Sequence, residues 1–511
     1  MVNPSNRSSS FPVERRRLLQ WLGSLGATWG VGVVRSQGAP AAPSGAQAWR
    51  AMSRVGYGPT PALCAAVQAG AGPRAWALEQ VDLAYAASQR PANIATELAG
   101  FNAMLPDLFA GAQRERQERA KRKADGVDQA GEPPGQRMAF DAPTDPMHFS
   151  RTVSLQAAAW RLTASSQPEL ETPLLARLTE FWFNHFNVYV GKGAVRPFVG
   201  HYAVNVARAH ALGRFEDLVL ASARHPAMLL YLDQARSVAD GSRMGRDDTP
   251  RGLNENYARE LMELHTLGVN GGYTQTDVRE LARVLTGWTV GQQEPNGFRF
   301  AKRLHDAGAK QVLGRRFPSA GQAVGEGEGM DAIRMLARHP STARRVTLRL
   351  AQFFVADDPP QDLLDRLRQT FTSTQGDMRQ VMRVLLDSPA FWAAENRLFK
   401  TPLDYACSVL AATHGADDRR HLVLTMGFLA NAGQPLHGWQ TPDGYKTDAA
   451  TWLVPEALTR RADYALALGR QSPELDFLAP FLSEATRQSI ARERPGLRAG
   501  LALASPDFMY K

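Results

Sequence analysis

NENYARELMELHTLGVNGGYTQTDVRELARVLTGW, residues 254–288, holds two helical patterns around a glycine turn, and its reading decides the fold. With side chains placed at about 100° per residue from Tyr257, Leu261 and Leu264 fall within about 40° of it, so this face is apolar and turns inward. His265 stands roughly 80° to one side and Glu260 roughly 60° to the other, both at the edge of the buried stripe. Arg259 and Glu263, spaced i,i+4, pair on the outer side. Gly268 can end the helix in left-handed backbone, and Asn270-Gly271-Gly272 gives the chain freedom to reverse. Thr274 then caps a second helix with Asp277 at its third position, Val278, Leu281, Ala282 and Leu285 form its buried face, and Gly287 closes it. A hairpin with both apolar faces committed belongs inside a larger helical body, so the expected fold is mainly α: a large multi-helix globular body with a small β-hairpin insertion. Glu260 and His265, five apart, diverge by roughly 140° on a regular helix and cannot chelate a metal on their own.

A second helix is expected over 171–189, ETPLLARLTEFWFNHFNVY. Leu174, Leu178, Phe181, Trp182, His185 and Tyr189 share one apolar face, which places the His185 ring in the interior between Asn184 and Asn187. There its two nitrogens need a partner, a metal or a substrate. A hydrogen-bonded core histidine is the structural alternative for both His185 and His265.

After Trp288 the period changes. Phe298 and Phe300 alternate with polar residues, His305-Asp306-Ala307-Gly308 turns, and residues 310–317 resume as a strand, which predicts one small hairpin. His305 with Asp306 forms a metal-ligand pair or an oriented base, and Lys310 can hold an anion, although Asp and Gly also belong in any turn. His225-Pro226-Ala227-Met228 and Ser388-Pro389-Ala390-Phe391 follow similar helices at one internal spacing, and Ser505-Pro506 echoes them, which reads as reused helix corners with proline at the first helical position. Ser341 is expected to cap the helix that runs to Phe354. Gly433 to Tyr445 reads as a long aromatic loop, able to stack on a sugar ring or to be pinned by Trp439 and Trp452.

A chain of 511 residues, 44% hydrophobic and 21% charged, buries one very large core or two ordinary ones. Its net charge is +9, and removing residues 1–48, with five arginines and one glutamate, leaves +5. Basic and acidic residues are interspersed except in RERQERAKRK at 114–123, so no nucleic-acid footprint is expected. That run and the Gly- and Pro-containing stretch to residue 146 read as a solvated helix end with a flexible insertion, residues 114–146. No P-loop, nucleophile elbow or dinucleotide fingerprint is present. Two cysteines, Cys64 and Cys407, exclude a cysteine-ligated zinc or iron–sulfur centre and leave one disulfide open in an oxidising compartment.

Residues 1–48 read as a targeting segment and spacer, and 49–511 as one large helical domain. Arg15-Arg16-Arg17-Leu18-Leu19-Gln20 resembles the twin-arginine consensus and precedes a weakly apolar run at 18–34, which suits that route better than a spanning helix. The expected location is periplasmic or secreted after passage through the twin-arginine translocase, with an uncleaved membrane anchor as the alternative. Ala46 and Ala48 offer an A-x-A cleavage site, Ala39-Pro40-Ala41 a poorer one.

The run N-E-N-Y-A-R-E-L, the L-H-T-L-G-V turn and the G-G-Y-T-Q helix start resemble, in this order, the signature of the bacterial family catalogued as domain of unknown function (DUF) 1800. Further similar elements are W-x-N-H-F at Trp182–Phe186, H-D-x-G-x-K at His305–Lys310, and the G-Q-P and G-W pairs near Gly433 and Gly438. The resemblance runs from about residue 49 to the end and names no reaction. Members are often encoded beside a sulfatase-like family, which implies a periplasmic partner. The first functional expectation is an exported metal-dependent enzyme with a buried His/Glu site: His185, His265 and His305 as ligands to a divalent metal, Glu260, His265 and Asp306 as catalytic groups. The second is a non-catalytic periplasmic scaffold or assembly partner of the sulfatase-like protein, with these polar groups satisfying one another in the core. The third, ranked lower, is a haem peroxidase-like oxidoreductase, on the loose likeness of W-F-N-H-F followed by L-H-T-L; a distal arginine is not matched.

Overall fold

The computed structural model describes residues 44–125, 146–240, 252–472 and 475–511; the twin-arginine motif, the apolar run, the Ala39–Ala41 site, most of the 126–146 stretch and the polar loop at 241–251 lie outside them. The architecture is mainly α, with two small antiparallel ribbons. Among the described residues no helix is long and apolar enough to cross a membrane.

The central hairpin forms as its sequence dictates. Asn254 caps the helix Glu255–Glu260, Gly268 turns at φ +87°, and Thr274 and Asp277 make a reciprocal capping box on Gln275–Val284. Val278, Leu281, Ala282 and Leu285 are fully buried. One feature differs from the regular wheel: Leu261–His265 is a π turn. Its i→i+5 bonding inserts an extra residue per turn, so later side chains lag behind the 100° step. Leu264 is therefore partly exposed and His265 is 1% exposed, the reverse of their expected order. Arg259 pairs with Glu255 at 3.7 Å and Gln275 at 2.8 Å instead of with Glu263, and so clamps the two arms of the hairpin together.

The β region also departs from expectation. Phe298–Phe300 pairs with Trp288–Val290, and Lys310–Val312 pairs with Arg315–Phe317, giving two ribbons where one was expected. The second closes through Leu313 and Gly314, both left-handed at φ +50° and +78°. That two-residue turn fixes a local partner before Phe298 can be reached, and Leu-Gly is a weaker signal for it than Asn-Gly.

The repeated corners are real, and their caps are informative. The His225 and His339 rings each accept the N–H two residues on, at 3.1 Å, and the Ser388 and Ser505 hydroxyls accept one three residues on. His339 thus caps Pro340–Phe354 where Ser341 was expected. The first two copies face each other: Phe215 N–H donates to Gly376 O at 2.9 Å and Met378 N–H to Gly213 O at 3.1 Å.

The core forms two adjoining clusters, one gathering the chain up to Phe391 and the other built on Pro402–Thr413, Arg419–Asn431, Pro455–Gly469 and Pro495–Ala504. Buried charge lies at their junction. Arg177, fully buried, is paired with Asp404, which also receives the Lys511 ammonium. Arg54 donates to Val355 O and Lys511 O at 3.0 Å and to Phe354 O at 3.4 Å, satisfying carbonyls left free at a helix C-terminus. Cys64 and Cys407 are both free thiols.

Candidate active site

The helix Pro173–His185 delivers its last turn into the middle of the first core cluster, and His185 there is fully buried. Its ring packs against Phe186 at 4.6 Å and Trp182 at 5.6 Å. Nδ1 lies 3.3 Å from a guanidinium nitrogen of Arg349, and Nε2 lies 3.0 Å from the carbonyl of His265. Arginine only donates and a carbonyl only accepts, which fixes the tautomer: Nδ1 accepts, Nε2–H donates, and the ring is neutral. Burial, followed by the charges of Arg349 and Arg345, holds its pKa well below the ordinary imidazole range. The same burial and the same two arginines hold His265 at about 3. The buried Nε2 of His265 has no hydrogen-bond partner among the described residues, and its ring rests on Phe186 at 5.1 Å.

A base whose folded pKa lies below its unfolded value takes its proton more readily in the unfolded chain. Acid therefore favours unfolding from about pH 6.5 downward, and for His265 the loss continues towards about pH 3. Each such ring contributes roughly 1.4 kcal/mol per pH unit in that window, and His225 and His437 act in the same sense. Urea unfolding at pH 7.5 and 5.5 is expected to show a loss of several kcal/mol; a flat or rising stability would contradict the neutral assignment.

Arg345 and Arg349, one turn apart on Pro340–Phe354, roof the two histidines. Arg345 Nε donates to Leu264 O at 2.7 Å, tying this helix to the π turn. Arg349 has no carboxylate within ion-pair distance among the described residues; its one hydrogen bond is the contact with neutral His185, and burial lowers its pKa to about 10. It opens on a cleft of about 200 Å³ lined also by Asn184, Gln352, Asp443 and Tyr445. The cleft's outer wall, residues 443–448, is held by reciprocal bonds of the Asn184 amide with the Tyr445 backbone at 2.8 and 3.0 Å, and by Asn187 donating to Trp439 O and Thr441 O. Gly444 is required there: its φ is +73°, and a Cβ would sit 2.2 Å from Asn184 O. Two aspartates lining this cleft are engaged, Asp357 accepting Ala449 N–H and Asp448 accepting Thr451 N–H, while Asp443 is exposed at the rim.

Glu260 is half-buried, its carboxylate has no hydrogen-bond partner among the described residues, and burial with neighbouring Glu263 and Asp443 raises its pKa against the opposing charge of Arg259. It shares its surroundings with Tyr231 and Asp443, whereas the charges around His265 are Arg345 and Arg349, so Glu260 and His265 look to different sides.

The family model described as "Protein of unknown function (DUF1800)" matches residues 50–510. The chain belongs to this family. No curated protein and no solved structure matches it.

The family motifs divide between two places. His185 and His265 converge beside Arg345 and Arg349, with Glu260 on the other side of the π turn near Asp443. His305 and Asp306, expected to join them, instead anchor the ribbons. His305 Nε2 lies 3.1 Å from Glu328, whose other oxygen takes the buried Lys310 ammonium at 2.9 Å, and Nδ1 lies 2.9 Å from Thr286 O. Lys310 therefore holds Glu328 and not a free anion, and Asp306 is bound by Arg283 at 2.7 Å, not oriented as a base on His305. Among the described residues no three His, Cys, Asp or Glu side chains come together as a metal site, so the His185, His265, His305 set is not assembled. The donor chemistry explains why: His185 spends its one lone pair on Arg349, and a guanidinium beside the ring repels a divalent cation. The same bond leaves that ring no lone pair for a haem iron. Arg345, Arg349 and Asp443 were missed by sequence reasoning. A usable signal existed, since PSTARRVTLRLAQFF carries three arginines and no acid.

Proposed function

We propose that this chain is an exported protein whose working part is the Arg349 cleft, and that the cleft binds a small polar anion. One observation carries the reading: partly buried Arg349 faces a cleft with a neutral histidine as its hydrogen-bond partner, and among the described residues no carboxylate lies within ion-pair distance, Asp443 acting on it only from further off. Burial makes such a cation costly unless an anion completes it, and guanidinium geometry suits a carboxylate, sulfate or phosphate. Asp443 at the rim favours a ligand whose other groups donate hydrogen bonds. Glu260, with its raised pKa and no hydrogen-bond partner among the described residues, is the group we assign to proton transfer on the adjoining face.

The reading is tested by thermal unfolding at constant ionic strength in sulfate, phosphate and acetate against chloride. The sulfatase-like partner implied by the family resemblance is the reason to begin with sulfate. Wild-type Tm is expected to rise saturably with one of these anions and Arg349→Met to lose that rise. Equal responses in the two proteins would overturn the assignment.

A further inference from the structure

We infer that the cavity beside the helix Ser44–Val55 binds a long-chain carboxylate, with its alkyl chain on an aromatic wall and its head on Arg50. The cavity measures about 880 Å³, within the range of about 300–1,000 Å³ that small-molecule sites occupy, and it shares no lining residue with the Arg349 cleft. Its apolar wall is held in place by the fold. The Trp49 indole donates to Tyr510 O at 3.1 Å, and its rings lie 5.7 Å from Phe481 and 5.8 Å from Phe508. Trp49, Phe481 and Tyr510 line the cavity together with Met52, Val67 and Leu482. Such a wall favours an alkyl chain, because each methylene buried on it leaves water.

The charge on the lining is positive. Arg50 is half-buried, and among the described residues it has no hydrogen bond and no carboxylate within ion-pair distance. Burial lowers the pKa of its guanidinium, Glu395 opposing this from further off and Arg397 adding to it. The other charged groups of the lining are engaged. Asp507 accepts from the Ser483 N–H and hydroxyl at 2.9 and 2.8 Å and from the Thr486 hydroxyl at 2.7 Å. The Lys511 ammonium is held by Asp404, and Lys511 O accepts from Arg54 and from the Leu398 N–H. The helix Pro73–Ser88 begins at Gly72 on the same lining with no side-chain cap, so its positive end is uncompensated as well. A half-buried guanidinium is completed by a carboxylate through two parallel hydrogen bonds, and the apolar wall beside it selects one with a long chain.

Cys64 provides the readout. It lines the cavity and is partly exposed, whereas Cys407 is fully buried, so iodoacetamide labelling of the full chain reports occupancy at one thiol while an unlabelled Cys407 marks an intact fold. Dodecanoate below its micellar concentration is expected to slow Cys64 labelling saturably, by about tenfold at about ten times its dissociation constant. Decanoate is expected to bind more weakly, by about fourfold for each methylene removed. Acetate should give no protection, and dodecyl maltoside, which has the chain without the charge, should give less than dodecanoate. Arg50→Met is expected to lose the advantage of dodecanoate over the maltoside, and Arg349→Met to keep it. A labelling rate that dodecanoate leaves unchanged, equal protection by the two amphiphiles, or full dodecanoate protection in Arg50→Met overturns the inference. So does a Cys64 that resists labelling with no ligand added. The anion response at Arg349 is measured separately and stands or falls without this site.

Discussion

Asp404→Ala is expected to leave too little stability for the chain to fold at 37 °C. The carboxylate is the shared counter-charge of Arg177 and Lys511, all three are almost wholly buried, and the two cations hold its pKa below the usual carboxylate range against the opposing cost of burial. Arg177 also lies between the Tyr57 and Phe353 rings, at 4.6 and 4.5 Å, with no route to water. Removing the anion strands two cations at the junction of the two core clusters, for a cost of about 3–5 kcal/mol. The same carboxylate caps Pro402–Thr413 by accepting Thr401 N–H, a further loss of about 1 kcal/mol. Against a typical total of 5–15 kcal/mol this is a large fraction. Urea unfolding of Asp404→Ala and Asp404→Asn measures it. Asparagine keeps the shape and an acceptor but not the charge, so it is expected to recover only the capping part; full recovery would show that charge is not what matters.

Lys310→Met is the second large effect. Glu328 is fully buried, and its partners are the Lys310 ammonium at 2.9 Å, His305 Nε2 at 3.1 Å and Gly325 N–H at 3.0 Å. Without Lys310 the buried carboxylate loses its ammonium partner and keeps only His305 Nε2 and Gly325 N–H, and the expected loss is about 3–5 kcal/mol. The double change Lys310→Met with Glu328→Met removes the stranded charge along with its partner and is expected to restore much of that loss. Anion response at Arg349 should be unaffected in either variant, because this network holds the ribbons to Glu326–Ala337 and does not enter the cleft. A double variant less stable than Lys310→Met alone would contradict the account of the network.

The two predictions show where sequence reasoning succeeded and where it stopped. Apolar periodicity placed Leu174, Leu178, Phe181, Trp182 and His185 on one buried face, and turn chemistry placed Gly268, Thr274 and Asp277 in their observed roles. Both signals are local. The π turn at Leu261–His265 was not legible, because nothing in the residue types distinguishes an inserted residue from a regular turn, and that one residue reverses the burial of Leu264 and His265. The candidate site was half legible. His185, His265 and Glu260 stood out as polar groups beside apolar stripes, but which of them touch depends on Arg345 and Arg349, some sixty residues past the hairpin, and on the wall at 443–448. His305 and Asp306 stood out equally well. Their partners Glu328 and Arg283 give them a structural task that only the fold reveals.

Crystals grown in selenate, with data collected at the selenium edge, test the central claim most directly. The account predicts an anomalous peak within hydrogen-bond distance of the Arg349 guanidinium, absent from Arg349→Met crystals grown in the same way. An empty cleft beside occupied surface sites, or a peak that persists in Arg349→Met, would contradict it.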